Sequence, residues 1–121
     1  MKRDMDLVRK ILLTIEESPH GFFNEFPTIQ GYSGEQVGYH SYLMIQAGLI
    51  EGADATTMDS ESPEAIPTCL TWQGHEFLDA CRNESVWTKA KEKIKSIGGE
   101  VPLDVLKTVL IEILKAQIMG C

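Results

Sequence analysis

A capped, glycine-stopped helix that runs directly into a hairpin constrains this chain more than any other feature. Ser33 and Gln36 stand at the S-x-x-Q spacing of a capping box, in which the serine hydroxyl takes the third helical amide and the glutamine side chain takes the cap's own amide. Gly48 supplies a residue able to adopt the left-handed angles that end a helix. Beyond it, Leu49-Ile50 and Ala65-Ile66-Pro67-Thr68-Cys69-Leu70-Thr71 are short apolar runs on either side of a polar, acidic stretch from Gly52 to Glu64, the pattern of a hairpin with a long loop. Pro67 has no N–H to donate, so the second strand lies at an edge or starts there.

The flanking segments follow the same local rules. Asp4 is placed to cap a first helix on which Met5, Val8, Ile11, Leu12 and Ile15 repeat at helical spacing, and Ser18-Pro19 ends it. The aromatic, glycine-bounded stretch from Gly21 to Gly31 predicts a loop feeding one brief strand at Thr28–Gln30. Thr71 predicts the cap of a third helix reaching about Asn83. Ser85 predicts the cap of a fourth, with Val86, Trp87, Ala90, Ile94 and Ile97 apolar and Lys89, Lys91, Lys93 and Lys95 solvated. Gly98-Gly99 breaks that helix, and Pro102 suits the first turn of a fifth that runs to about Ile118.

At 121 residues, with 43% hydrophobic and 24% charged residues, the composition is that of one globular domain. The expected class is mainly α (α+β): helix, short strand, helix, hairpin, helix, with two additional C-terminal helices. The domain spans 1–121, with a core at 4–83 and a helical extension at 84–121. No apolar run is long enough to cross a bilayer, so no membrane is expected, and the charged N-terminal residues do not form a secretory signal, which predicts a cytoplasmic protein. Cys69, Cys81 and Cys121 are widely spaced and odd in number, against a disulfide framework; the first two are expected buried and Cys121 exposed.

The net charge of −7 is unevenly spread. Residues 11–81 carry eleven Asp or Glu and no Lys or Arg, whereas 1–10 and 82–121 each carry a net +2. The second helix, with Val37, His40, Ser41, Met44 and Ala47 turned inward, leaves Glu35, Tyr39, Tyr42 and Gln46 on its other side. Such a face and its acidic hairpin would repel a phosphate backbone, because nucleic-acid affinity comes largely from cations that neutralise phosphates. Tyrosines suit a protein partner, so Glu35, Tyr39, Tyr42 and Gln46 are the candidate partner-binding face; equally, Tyr39 and Tyr42 can pack as ordinary core. Were DNA the ligand, it would have to use Lys2, Arg3, Arg9 and Lys10, or the Lys89–Lys95 face.

On the last helix Leu106, Val109, Leu110, Ile113 and Leu114 belong to more than one apolar stripe. That width calls either for a homodimer through this helix or for deep burial inside the monomer. Nothing in the sequence points to catalysis. His20, His40 and His75 are far apart, and His75 with Asp79 is a surface helix pair rather than a metal site. Phosphate-binding glycine loops and nucleophile elbows are absent, so no cofactor, no metal and no enzymatic activity are expected.

The run Leu43-Met44-Ile45-Gln46-Ala47-Gly48-Leu49-Ile50, followed by Leu70-Thr71-Trp72-Gln73-Gly74, resembles the recognition helix, wing and next helix of winged-helix proteins, over about residues 4–83. The separate helix that usually precedes the recognition helix is missing or replaced by Phe26–Gln30. The whole chain also resembles a family of short bacterial and phage proteins known as domain of unknown function 2513. That likeness rests on Met1 to Arg9, the Tyr39-His40 to Ile50 helix end, Leu70-Thr71-Trp72-Gln73-Gly74-His75-Glu76-Phe77-Leu78-Asp79-Ala80, and Val101-Pro102-Leu103. It implies a bacterial or phage setting and no activity. These readings together predict a non-enzymatic interaction or regulatory module acting through protein contacts, with a DNA-binding regulator as the alternative.

Overall fold

The Asp4 carboxylate accepts the Asp6 and Leu7 amides at 3.0 and 3.2 Å and so opens α1 (Met5–Glu16), whose Leu7, Val8, Ile11, Leu12 and Ile15 are buried. The Ser33 box closes as its spacing requires: Ser33 Oγ accepts the Gln36 amide at 3.1 Å, and Gln36 Oε1 accepts the Ser33 amide at 2.8 Å. It starts α2 (Gly34–Gln46). Next come β1 (Ile50–Asp54), β2 (Ala65–Leu70), α3 (Trp72–Cys81), α4 (Glu84–Ile97) and α5 (Leu103–Met119). The protein is thus mainly α-helical with a small antiparallel sheet. The structure, a computed structural model, describes residues 1–23 and 25–119, and the chain forms two compact units, Met1–His75 and Glu76–Cys121. Cys121, expected to be exposed, lies outside the described residues.

In the first unit α1 packs on α2 and β2, and α2 packs on both strands. The strands pair from Ile50 opposite Leu70 to Asp54 opposite Ala65, with a register shift at Glu51/Gly52 that leaves Thr68 as an extra residue on β2. The Thr68 carbonyl, on the outer edge of β2, accepts the Phe23 amide at 2.6 Å.

The brief strand expected at Thr28–Gln30 does not form. The Phe23 amide already takes the Thr68 carbonyl on β2, and Pro27 has no N–H for a ladder. Pro27 and Ile29 are buried instead, and the chain turns back through a Tyr32 amide bonded to the Ile29 carbonyl.

The helix end and the "LTWQG" segment, far apart in sequence, meet in one junction. Gly48, at φ +76°, lets its own amide reach the Ile45 carbonyl and the Leu49 amide reach that of Met44, the double closure of a Schellman motif. The freed Leu49 carbonyl then accepts the Thr71 amide at 3.1 Å. The Thr71 hydroxyl donates to the Gly48 carbonyl and accepts the Gly74 amide at 3.0 Å, which caps α3. A Cβ at position 74 would sit 1.9 Å from the Leu49 oxygen, so only glycine fits there. These residues carry the fold.

In the second unit α4 and α5 pack together. The cap of α4 is Asn83, whose Oδ1 accepts the Val86 amide at 3.1 Å, and not Ser85 as the sequence suggested. Starting the helix at Glu84 brings an acidic residue into its first turn, which favours the earlier start. Val86, Trp87, Ala90 and Ile94 are buried on α4, and Leu106 and Leu110 on α5. Among the described residues no helix is long and apolar enough to cross a membrane.

Candidate functional site

The inner face of α2 is as the helical spacing predicts at Val37, His40, Ser41 and Met44, all buried. Ala47 departs from it and is exposed, because it is the C-cap residue, where the chain turns away at Gly48. His40 is wholly committed to structure. Its Nε2 accepts the Asp4 amide at 2.8 Å, so its Nδ1 carries the proton donated to the Gln36 carbonyl, also at 2.8 Å. The ring thereby ties the start of α1 to α2 and offers neither nitrogen to a ligand.

The other face of α2 is only partly free. Glu35 and Gln46 are exposed, while Tyr39 and Tyr42 are half-buried. Glu35 does not project alone, because its Oε1 accepts the Ser62 hydroxyl at 2.8 Å and binds the helix to the hairpin loop. One turn further on, Gly38 is buried, and a Cβ there would come 2.9 Å from the Glu64 Cβ. The base of the loop therefore stands on the N-terminal half of α2.

Of the stretch from Gly52 to Glu64 read as a long loop, Gly52 to Asp54 belong to β1, and from Ala55 on the loop is tied largely by its own hydroxyls. The Ala55 amide reaches the Glu64 carbonyl at 2.9 Å, and the Glu64 amide reaches Thr56 Oγ1 at 3.0 Å. Ser60 Oγ accepts the Thr57 amide at 3.0 Å and donates to Glu64 Oε1 at 3.3 Å. Thr56 also holds the Asp54 carboxyl below its usual range, through side-chain and then backbone hydrogen bonding.

The outcome is an open concavity of about 440 Å³, lined by Glu35, Asp59, Glu61 and Glu64 with Thr57, Ser60 and Ser62. Helical periodicity singles out Glu35 but not the hydroxyl residues. The signal that marks them is the density of Ser and Thr from Thr56 to Ser62, residues that bond nearby backbone in turns.

The cations of this unit are confined to its first ten residues, where Lys2, Arg3 and Lys10 are exposed. Arg9 is buried, and the Lys10 ammonium lies 5.4 Å from the centre of the Tyr32 ring. The Tyr32 hydroxyl donates to Asp4 Oδ2 at 3.0 Å, and burial first, then the Asp4 carboxylate, push its pKa up to about 12. Cys69, expected to be buried, is half-exposed on β2 because it sits on the outer face of the hairpin opposite Glu51. Its Sγ donates to Glu51 Oε2 at 3.4 Å, and burial followed by that carboxylate raises the thiol pKa. Cys81 is buried.

In the second unit the surface has the opposite character. Lys89, Lys91, Lys93 and Lys95 are exposed along α4, with Lys91 Nζ 5.9 Å from the Trp87 ring centre. Of the residues predicted to form a dimer helix, Leu106 and Leu110 are buried, so they hold the unit together, while Val109, Ile113 and Leu114 are half-buried. The exposed apolar residues of α5 are Val105, Ile118 and Met119, two of them at 74% and 83%.

Among the described residues no three His, Cys, Asp or Glu side chains are grouped to hold a metal ion. His20 and His75 are exposed, and Asp79 pairs with Arg82 at 2.9 Å.

A family model described as "Hypothetical protein (DUF2513)" matches residues 2–100. An "Uncharacterized protein" of Haemophilus influenzae (strain ATCC 51907 / DSM 11121 / KW20 / Rd) is 42% identical over 110 residues, which is 90% of this chain and 92% of that protein. No solved structure matches the chain.

Proposed function

We propose that this chain, which belongs to the DUF2513 family, is a non-enzymatic interaction module on a winged-helix-like core, acting through protein–protein contacts. The observation that carries this reading is the pairing of α2 with its hairpin. The element that would enter a major groove presents Glu35 braced to Ser62, and beside it a loop bearing Asp59, Glu61 and Glu64, with no Lys or Arg anywhere from Ile11 to Cys81. Phosphate neutralisation supplies most non-specific affinity for DNA, and this surface adds negative charge where cations are required. A protein partner carries no such requirement.

The test is fluorescence anisotropy with a labelled random duplex at low salt, where a non-specific DNA binder saturates well below about 100 μM. The expected result is no saturable binding. Binding whose log affinity falls steeply with log salt would overturn the proposal. One observation favours DNA as a second reading, namely the four exposed lysines of α4. In that case Lys89→Gln, Lys91→Gln, Lys93→Gln and Lys95→Gln together abolish the signal, whereas Glu35→Gln leaves it in place.

A further inference from the structure

The hairpin has one closed edge and one open edge. Along the outer side of β2 the Thr68 carbonyl already takes the Phe23 amide, and Pro67 has no N–H to give. Along β1 the ladder fixes which groups are spent. The Ala55 amide bonds the Glu64 carbonyl, and Ala53 stands opposite Ile66, so positions 53 and 55 turn their backbone groups toward β2. Antiparallel pairing alternates, and the amides and carbonyls of Gly52 and Asp54 therefore point away from it. Pro67 opposite Gly52 agrees, because a proline fits only where the ladder needs no donor. Among the described residues the sheet has two strands, and Glu51 to Asp54 are exposed.

An open edge is a template for a third strand, and charge decides which strand it accepts. Glu51 and Asp54 lie on β1, and the loop that continues it carries Asp59, Glu61 and Glu64. Pairing with a second β1 would crowd four carboxylates into one short ladder, so copies of this chain repel one another here. Basic side chains on the incoming strand turn the same charges to attraction, and no Lys or Arg stands between Ile11 and Cys81 to oppose them. Two strands are also marginal by themselves, whereas a third adds main-chain hydrogen bonds. We propose that the outer edge of β1 docks an extended, Lys- or Arg-bearing segment of a protein partner, which adds as a third strand by bonding Gly52 and Asp54. This rests on the protein-contact reading above and names the chemistry of the partner.

The probe is a capped peptide of four Lys-Val repeats, titrated at low salt into the isotope-labelled full chain and followed by NMR. Saturable binding is expected, with the Gly52 and Asp54 amides exchanging at least about tenfold more slowly in the complex, because they gain acceptors. Two controls separate strand addition from charge alone. A Glu-Val peptide of the same length, and a fully N-methylated Lys-Val peptide that keeps its charges but has no N–H, should each bind at least about tenfold more weakly. Asp54→Pro removes one outward N–H and leaves the Ala53 and Ala55 donors in place; it is expected to weaken binding about tenfold. Asp54→Asn removes the charge and keeps the N–H, and weakens it only about threefold. Circular dichroism reports whether Asp54→Pro folds, and if it does not, the N-methylated peptide makes the same distinction. No binding of the Lys-Val peptide, binding undiminished by N-methylation, equal losses in the two Asp54 variants, or unchanged exchange at Gly52 and Asp54 would each overturn the proposal. Such a failure leaves the protein-contact reading standing, whereas salt-dependent duplex binding overturns that reading whatever the peptide does.

Discussion

The hairpin region and the α4–α5 region solve opposite problems. The loop between β1 and β2 buries little apolar surface and holds its shape through Thr56, Thr57, Ser60 and Ser62, whose hydroxyls bond backbone groups, carboxylates or, for Thr57, the Ser60 hydroxyl. The α4–α5 pair holds together through Trp87, Ile94, Leu106 and Leu110 and leaves Val105, Ile118 and Met119 in water. Their charges differ in the same sense, −11 over residues 11–81 against +2 over 82–121. An ordered polar loop offers a fixed charge pattern, whereas an exposed apolar helix face carries a hydration cost that a second surface removes.

The junction under the hairpin is where that contrast breaks most easily. Gly74→Val drives a side chain into the Leu49 carbonyl, and the expected cost exceeds about 4 kcal/mol, enough to abolish a urea unfolding transition. A variant that unfolds near the wild-type midpoint would mean the junction is not what anchors α3.

Next in size is a pair of substitutions within α5. Leu110→Ala removes a fully buried side chain and is expected to cost about 2–4 kcal/mol by urea titration. Ile118→Ser, at a side chain 74% exposed, stays within about 0.5 kcal/mol. Equal effects would erase the division between an inner and an outer face of this helix.

A smaller, pH-dependent effect is expected at Tyr32. Its folded pKa of about 12 lies above the ordinary phenol value of about 10. Between those two pH values the native state keeps a proton that the unfolded chain has released. Its contribution is therefore complete below pH 10 and is lost as pH rises toward 12. Tyr32→Phe should flatten this part of an unfolding-versus-pH curve, and an unchanged slope would separate Tyr32 from Asp4.

The smallest effect belongs to the brace between α2 and the loop. Glu35→Ala should change global stability by less than about 1 kcal/mol. It should also raise amide exchange from Ala55 to Glu64, where one tether is lost. Exchange no faster than in wild type would show that the hydroxyl stitches suffice alone.

Much of this architecture follows from residues close together in the chain. The Ser33–Gln36 box, the Gly48 stop and the Asp4 cap are short-range hydrogen-bonding effects, and each forms where its residues stand, whereas the first hairpin strand runs on to Asp54, into the stretch from Gly52 read as loop. Two local readings failed: the brief strand expected at Thr28–Gln30 does not form, and Asn83, two residues ahead of Ser85, caps α4.

Which side of α2 is free was not deducible from a helical wheel, because a wheel places Glu35, Tyr39, Tyr42 and Gln46 on one stripe without knowing what will cover it. The folded chain brought Ser62 to Glu35 and Glu64 to Gly38 across 27 and 26 positions. Local preferences depend on a few neighbouring dihedrals and so are written in the residues themselves. Exposure, pairing and the inner or outer sense of a helix face depend on which remote segments arrive, and that is settled only when the whole chain closes.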